Sequence, residues 1–327
     1  MMPFAFVRAV NNESAIHEAS TKGSKFIAGA TNLVDLMKLD IEKPDKLVDI
    51  NRLSLHKIET LPNGNLLVGA LVKNSELAYH PEIIKRYPLI SEAILSGASP
   101  QLRNMASTGG NILQRTRCYY FYDISFPCNK RNPGSGCPAI SGYNRIHAIL
   151  GTSDHCIATH PSDMCVALMA MEALIHTQGP KGNRRMLFSE FYRLPGSTPH
   201  IENVLQPGEL IIAVEIPRLN FAVRSCYLKV RDRASYEFAL ASAAVALDLQ
   251  GGTIRQSRIA LGGIGTKPWR STAAEKTLSG AQVNKDVFRK AAEAALADAK
   301  PQKHNAFKIE LAKRTLVRAL TTASEIS

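Results

Sequence analysis

The chain has 327 residues, 45% of them hydrophobic, which is ample for a buried core and long for one ordinary domain. No apolar run approaches the roughly 18–20 residues that a membrane-spanning helix needs, and the net charge of +12 is scattered through short clusters such as "KVRDR". Nucleic-acid binding and a membrane span are therefore not expected; acidic partner subunits or a polyanionic cofactor absorb the charge better.

In chain order, "FAFVRAV" predicts a strand and "NNESAIHEAS" a helix opened by Asn12, with Ile16 and Ala19 on one face. Arg8 interrupts the N-terminus before a signal-like apolar core forms, so neither a secretory signal nor disulfides are expected. "KFIAGA" predicts a strand, "TNLVDLMKL" a helix with a Thr/Asn cap, "KLVDI" and "NLLVGAL" strands, and "YPLISEAILSGA" a helix. Residues 111–160 then lose all periodicity and fill with Cys, Gly, Pro, Asn and aromatics. A structureless stretch of that length needs an organising metal or cofactor. Regular structure returns with "SDMCVALMAMEALIHT", capped by Ser162 or Asp163, and the strand "ELIIAVEI". A domain boundary is placed in "PRLNFAVR", giving an N-terminal domain over 1–220 and a C-terminal one over 221–327. The latter reads as the strand "SCYLKVRDR", a hairpin turning at Gly251–Gly252, and three helices, the last with Phe307, Leu311, Leu316 and Leu320 near one face. The pattern as a whole predicts an α+β protein.

Two turns carry candidate binding chemistry. In "FIAGATNLVDL" a strand enters the small-residue turn Ala28-Gly29-Ala30 and a helix follows at once, which aims backbone N–H groups at an anion. In "STGGNIL" two glycines permit close backbone approach, and Ser107, Thr108 and Asn111 supply polar side chains.

Four of the six cysteines, Cys118, Cys128, Cys137 and Cys156, are spaced Cys-x9-Cys-x8-Cys-x18-Cys in the irregular stretch. No CxxC pair is present, so the usual zinc-finger spacings do not match, while thiolates on one long loop suit an iron–sulfur cubane; spacing leaves cluster and zinc both open. Arg115, Arg117, Lys130 and Arg131 are candidate counter-charges, and "YYFY" (Tyr119–Tyr122) a candidate apolar shield. His155 and His160 are read as loop or capping residues. Cys165 and Cys226 are read as buried structural cysteines, and Met164, Leu168 and Met171 as core.

Taken together, "AGATNL", "GASPQLRNMASTGGNIL", "HPSDM", "CYLKVRDRASYEFAL" and "LGGIGTKPWR" resemble, in order and over nearly the whole chain, the FAD-binding (medium) subunit of the molybdenum hydroxylases, the xanthine dehydrogenase and carbon monoxide dehydrogenase family. Because most members lack the cysteine insertion, the chain is most similar within the family to the FAD and 4Fe-4S subunit of bacterial periplasmic aldehyde oxidoreductase; the flavin subunit of 4-hydroxybenzoyl-CoA reductase is the alternative. A zinc-stabilised binding module without redox function is the alternative of another class.

The resemblance implies a two-part FAD-binding domain carrying a 4Fe-4S loop at about 112–160, followed by a C-terminal α+β domain with an antiparallel sheet. It implies FAD contacts at Phe26, Ile27, Ala28, Gly29, Ala30, Thr31, Asn32 and Leu33, and at Ser107, Thr108, Gly110 and Asn111. Asp163 corresponds to a ribityl- or ribose-binding aspartate, Ile211 to a backbone contact, and Lys229 lies near the isoalloxazine. It implies that Cys118, Cys128, Cys137 and Cys156 bind the cluster, and that no residue acts as a catalytic acid or base. The implied partners are a large molybdopterin-binding subunit and a small 2Fe-2S subunit in a heterotrimer, with an external electron acceptor. The implied location is the periplasm, by co-export with a signal-bearing partner, with the cytoplasm as alternative. The family usually has glycine where this chain has Ala30, a replacement tolerable only at negative φ.

Overall fold

The computed structural model describes residues 1–326. The strands β1 (Ala5–Arg8), β2 (Ser24–Ile27) and β3 (Lys46–Asp49) form a small parallel sheet in the order β1-β3-β2. The helix Asn12–Ala19 connects the first two strands. Its cap is Asn11 rather than the expected Asn12: the Asn11 side chain accepts the Ser14 N–H, and Ser14 returns a bond to the Asn11 N–H. The next helix, Leu33–Lys38, lacks the side-chain cap its sequence suggests. Asn32 instead turns its carbonyl oxygen to the Arg115 N–H at 2.9 Å, tying the first turn to the chain that leaves the second.

The strands β4 (Ile58–Thr60), β5 (Leu66–Gly69), β6 (Leu174–Gly179), β7 (Gly182–Leu187) and β8 (Leu210–Ile216) form an antiparallel sheet in the order β4-β5-β8-β6-β7. Three of these lay outside the sequence expectation. "SDMCVALMAMEALIHT" reads as one continuous apolar segment, yet the helix ends at Ala170 and β6 begins at Leu174, because Glu172 takes the left-handed conformation (φ 54°) between them. β7, "GNRRML", is solvent-facing and has no apolar alternation to announce it.

In the C-terminal part β9 (Ser225–Val230), β10 (Ala241–Gln250), β11 (Thr253–Gly262) and β12 (Trp269–Arg270) pair antiparallel in the order β12-β11-β10-β9. The long hairpin turns at Gly251 (φ 57°) and Gly252 (φ 78°), the double positive φ that a two-residue type I′ turn needs. Side-chain alternation along β10 divides the core. Ala244 and Ala246 face the helices Pro88–Ser96 and Asp163–Ala170, while Ala243, Val245 and Leu247 face the helices Thr272–Leu278, Lys285–Ala295 and Phe307–Glu325. Both faces of this sheet are thus buried. In the last helix Leu316 and Leu320 join the core, whereas Phe307 is exposed at the helix start.

The helix Asp163–Ala170 is buried on every side, as befits a pillar between the two parts. Ser162 caps it, accepting the Cys165 N–H at 3.1 Å. This places Asp163, the first residue of the helix, where both parts of the chain meet.

Candidate functional site

Two clefts run end to end, the first inside the N-terminal part and the second at its junction with the C-terminal part. The larger, about 690 Å³, is walled by Phe26–Leu33, by Ser107 and Gly110, and by residues 200–211 including Ile211. The second, about 320 Å³, is walled by Asn111, Asp163, Lys229 and the loop Arg233, Tyr236–Phe238. Thr31, Asn32 and Gly110 line both, so the two join into one elongated trough. Every residue expected to bind cofactor borders this trough except Thr108, which is buried with its hydroxyl donating to the Val72 carbonyl at 3.0 Å.

The first turn is built to meet an anion. Among the described residues, the N–H groups of Gly29, Ala30, Thr31 and Asn32 donate to no backbone carbonyl, which leaves a nest of donors facing the larger cleft. The buried Nδ2 of Asn32 also lacks a protein partner. Gly29 is required by packing as well, since a Cβ there would lie 2.0 Å from the Met105 carbonyl oxygen. Ala30 has φ +61°, so the negative φ expected of it is not what the fold imposes; the residue takes the left-handed conformation that favours glycine.

The second turn works differently. The N–H groups of Thr108, Gly109, Gly110 and Asn111 are all satisfied inside the protein, by Val72, Ala70 and Ser107. It offers the trough side chains rather than free backbone donors, with Asn111 fixed by the Ser162 hydroxyl.

At the far end, Asp163 and Lys229 form a 2.8 Å ion pair that is almost fully buried. Lys229 also donates to the Ser96 carbonyl at 3.1 Å. Tyr227, which sequence reading passed over, donates its hydroxyl to the other Asp163 oxygen at 2.6 Å. Its signal was present: residues 227 and 229 alternate onto one face of β9. Burial pushes the Tyr227 phenol well above its ordinary pKa, and the carboxylate beside it adds to this, so it serves as a donor.

The irregular stretch folds as a loop with one short helix, Tyr119–Tyr122. Cys118, Cys128, Cys137 and Cys156 line one small enclosed cavity with Tyr120, the fully buried Phe121, and Lys130. Burial pushes the Cys118 thiol up to about 12 and Cys156 up to about 11, and raises Cys137; neighbouring cysteines of the set push each of them further. His147 places Nε2 3.0 Å from the Cys118 sulfur, a contact without a sequence signal. Among the described residues no three His, Cys, Asp or Glu side chains are grouped to hold a metal ion, so the expected ligand set is convergent without being closed. Cys165 and Cys226 are buried elsewhere.

Of the expected counter-charges, only Lys130 borders the thiol cavity. Arg115 is instead neutralised by Glu42 and by Glu202 at 2.9 Å, Arg131 donates to loop carbonyls, and Arg117 contacts the Tyr122 hydroxyl. Glu202 also binds Lys130 at 2.6 Å, so one carboxylate ties the thiol loop to the wall of the larger cleft. His160 is half-buried with its Nε2 enclosed, desolvation pushes it down to about 3, and its Nδ1 accepts the Ser162 N–H, consistent with the capping role expected of it.

Residues 2–219 match the family described as the FAD binding domain in molybdopterin dehydrogenase. The chain belongs to that family of flavin-binding subunits. Residues 226–323 of this flavin-binding subunit match the CO dehydrogenase flavoprotein C-terminal domain. It is 51% identical over 313 residues, 95% of each chain, to the aldehyde oxidoreductase FAD-binding subunit PaoB of Escherichia coli (strain K12). It is 28% identical over 88% of its length, and 84% of the relative's, to the glyceraldehyde dehydrogenase medium chain of Sulfolobus acidocaldarius. Its fold matches a chain of CO dehydrogenase from Oligotropha carboxidovorans over the full length of both, with a TM-score of 0.79 at 23% identity. The subunit therefore binds FAD, and the trough, with its unpartnered Asn32 Nδ2 and free N–H nest, is the site that fits it. The expected α+β fold is the one observed.

Proposed function

We propose that this chain is the electron-transfer subunit of a molybdenum-containing aldehyde oxidoreductase, carrying FAD and a 4Fe-4S cluster. It would assemble with a large molybdopterin-binding subunit and a small 2Fe-2S subunit into a heterotrimer that delivers electrons to an external acceptor. The observation that carries the reading is 51% identity, over 95% of both chains, to a relative named as an aldehyde oxidoreductase FAD-binding subunit. Flavin, when bound, supplies the ability to take electrons singly and release them in pairs. The chain's residues would do the rest: free N–H groups at 29–32 would hold the diphosphate, Asn111 and Asp163 would orient the remainder, and Lys229, paired with Asp163, would serve the ring end.

The thiol cavity supports the cluster. A cubane asks for one thiolate at each of four corners, which suits four cysteines spread around one cavity and shielded by Phe121 and Tyr120.

The test is the purified complex. Flavin absorption, iron and sulfide on this chain, and aldehyde-dependent reduction of an artificial dye are expected together. Zinc in place of iron would overturn the cluster, and oxidation of a reduced dye by an aromatic acyl-CoA, with no aldehyde-dependent dye reduction, would overturn the substrate class. We also propose assembly in the cytoplasm and export on a partner bearing a twin-arginine signal; periplasmic recovery of this chain in cells lacking that partner would overturn the route.

A further inference from the structure

The 2.7–3.3 Å bonds around residues 144–148 form a buried polar network that the flavin site does not use. Lys308, fully buried in the C-terminal helix, donates its ammonium to the carbonyls of Ile146 at 2.9 Å, His147 at 3.1 Å and Gly263 at 2.7 Å. Asn305, also fully buried, donates to the carbonyls of His147 and Ala148, both at 3.3 Å. Asn144 accepts the His304 N–H at 2.9 Å and gives its own carbonyl to the His147 N–H at 3.0 Å. Burying an ammonium is costly unless its donors are all engaged; here each of the three has a carbonyl. The result is a histidine whose backbone is fixed by another part of the chain.

The His147 ring has one contact of consequence. Nε2 lies 3.0 Å from the Cys118 sulfur, while Nδ1 is buried without a partner and the residue is only 1% exposed. A cysteine bound to iron is a thiolate with no proton to give, so a hydrogen bond at this contact runs from Nε2–H to sulfur. Among the described residues no other side chain donates a hydrogen bond to the four sulfurs; their remaining donors are backbone N–H groups, those of Tyr120 and Phe121 at Cys118, of Ala139, Ile140 and Ile157 at Cys137, and of Ala158 at Cys156 at 3.5 Å.

We propose that His147 is a positioning residue for a cluster in the thiol cavity: it donates Nε2–H to the Cys118 thiolate and raises the cluster's reduction potential, held there by Asn305 and Lys308. This rests on the 4Fe-4S reading above. One-electron reduction adds negative charge that is shared with the sulfurs, and a donor to sulfur stabilises the reduced form more than the oxidised one. The contact singles out one corner of the cluster.

The experiment uses the intact purified complex, comparing wild type, His147→Leu and His147→Gln for iron content and for cluster potential by low-temperature EPR redox titration. His147→Leu is expected to keep its iron and shift the reduction equilibrium about tenfold towards the oxidised form, a fall of about 59 mV for one electron. His147→Gln, which carries an amide N–H, is expected to recover much of that. An unchanged potential with full iron in His147→Leu overturns the proposal, as does iron loss from both variants. If only the leucine variant fails to load, the glutamine variant decides: a potential near wild type upholds the donor role and a lowered one overturns it. Absence of any 4Fe-4S signal from the wild-type complex would instead sink the cluster reading itself, a separately recognisable failure.

Discussion

The Tyr227 hydroxyl donates to Asp163 Oδ1 at 2.6 Å, and Lys229, two residues further along the same strand, holds Oδ2 at 2.8 Å. The strand belongs to the C-terminal part and the aspartate opens a helix of the FAD-binding part, so the flavin end of the trough exists only when the two are docked. Tyr227→Phe removes one bond to a carboxylate and is expected to cost about 2 kcal/mol. Lys229→Met leaves that carboxylate buried without its cation, at about 3–5 kcal/mol. Thermal unfolding and flavin retention on a desalting column check both; equal effects of the two substitutions would contradict the ion-pair account.

Neighbouring residues of the first turn should respond in opposite ways. Ala30 sits at φ +61°, so Ala30→Gly relieves left-handed strain of about 1 kcal/mol and should raise both stability and FAD retention. Gly29→Ala would drive a Cβ to 2.0 Å from the Met105 carbonyl oxygen and should abolish FAD binding or folding. A titration of apoprotein with FAD, with melting temperatures, reads both.

Acid should loosen the wall shared by the trough and the thiol loop. Burial would raise the Glu202 pKa, but Lys130 and Arg115 outweigh it and hold the carboxyl at about 2. Because the folded value lies below the unfolded one of about 4.3, this stability is present above pH ~4.3 and is lost as pH falls through 2, by about 3 kcal/mol. Glu202→Gln should flatten that part of the profile. A melting-temperature series from pH 6 to pH 2.5 that is parallel for wild type and Glu202→Gln would refute the assignment.

On the proposed cluster reading, serine at Cys118, Cys128, Cys137 or Cys156 should each cost the complex iron and loosen the loop, since metal binding would help fold it. Cys165→Ser and Cys226→Ser should keep iron and show only a packing cost. Metal analysis with limited proteolysis of the 118–156 loop distinguishes the two groups; iron loss from either of the latter would overturn the ligand assignment.

Local chemistry made much of this protein legible in advance. The strand-turn-helix at Phe26–Leu33, the Gly251–Gly252 hairpin and the Ser162 cap depend on residues a few positions apart, and each stands where the sequence put it. The thiol spacing likewise identified four cysteines that line one cavity. Tertiary structure alone decided the rest. β7 faces solvent and carries no periodic signal, and the helix-to-strand switch at Glu172 is imposed by the sheet that β6 must join. Ala30 takes a positive φ because packing of Gly29 against Met105 and the bond from Arg115 to Asn32 fix the turn around it. Arg115 finds Glu42 and Glu202, residues 73 and 87 positions away, and His147 reaches Cys118 because Asn305, just before the last helix, and Lys308, within it, arrive 158 and 161 positions further on. His147 meets Lys308 only when burial of both faces of the C-terminal sheet docks the two parts, Arg115 meets its carboxylates only when the FAD-binding part folds, and no local preference encodes either meeting.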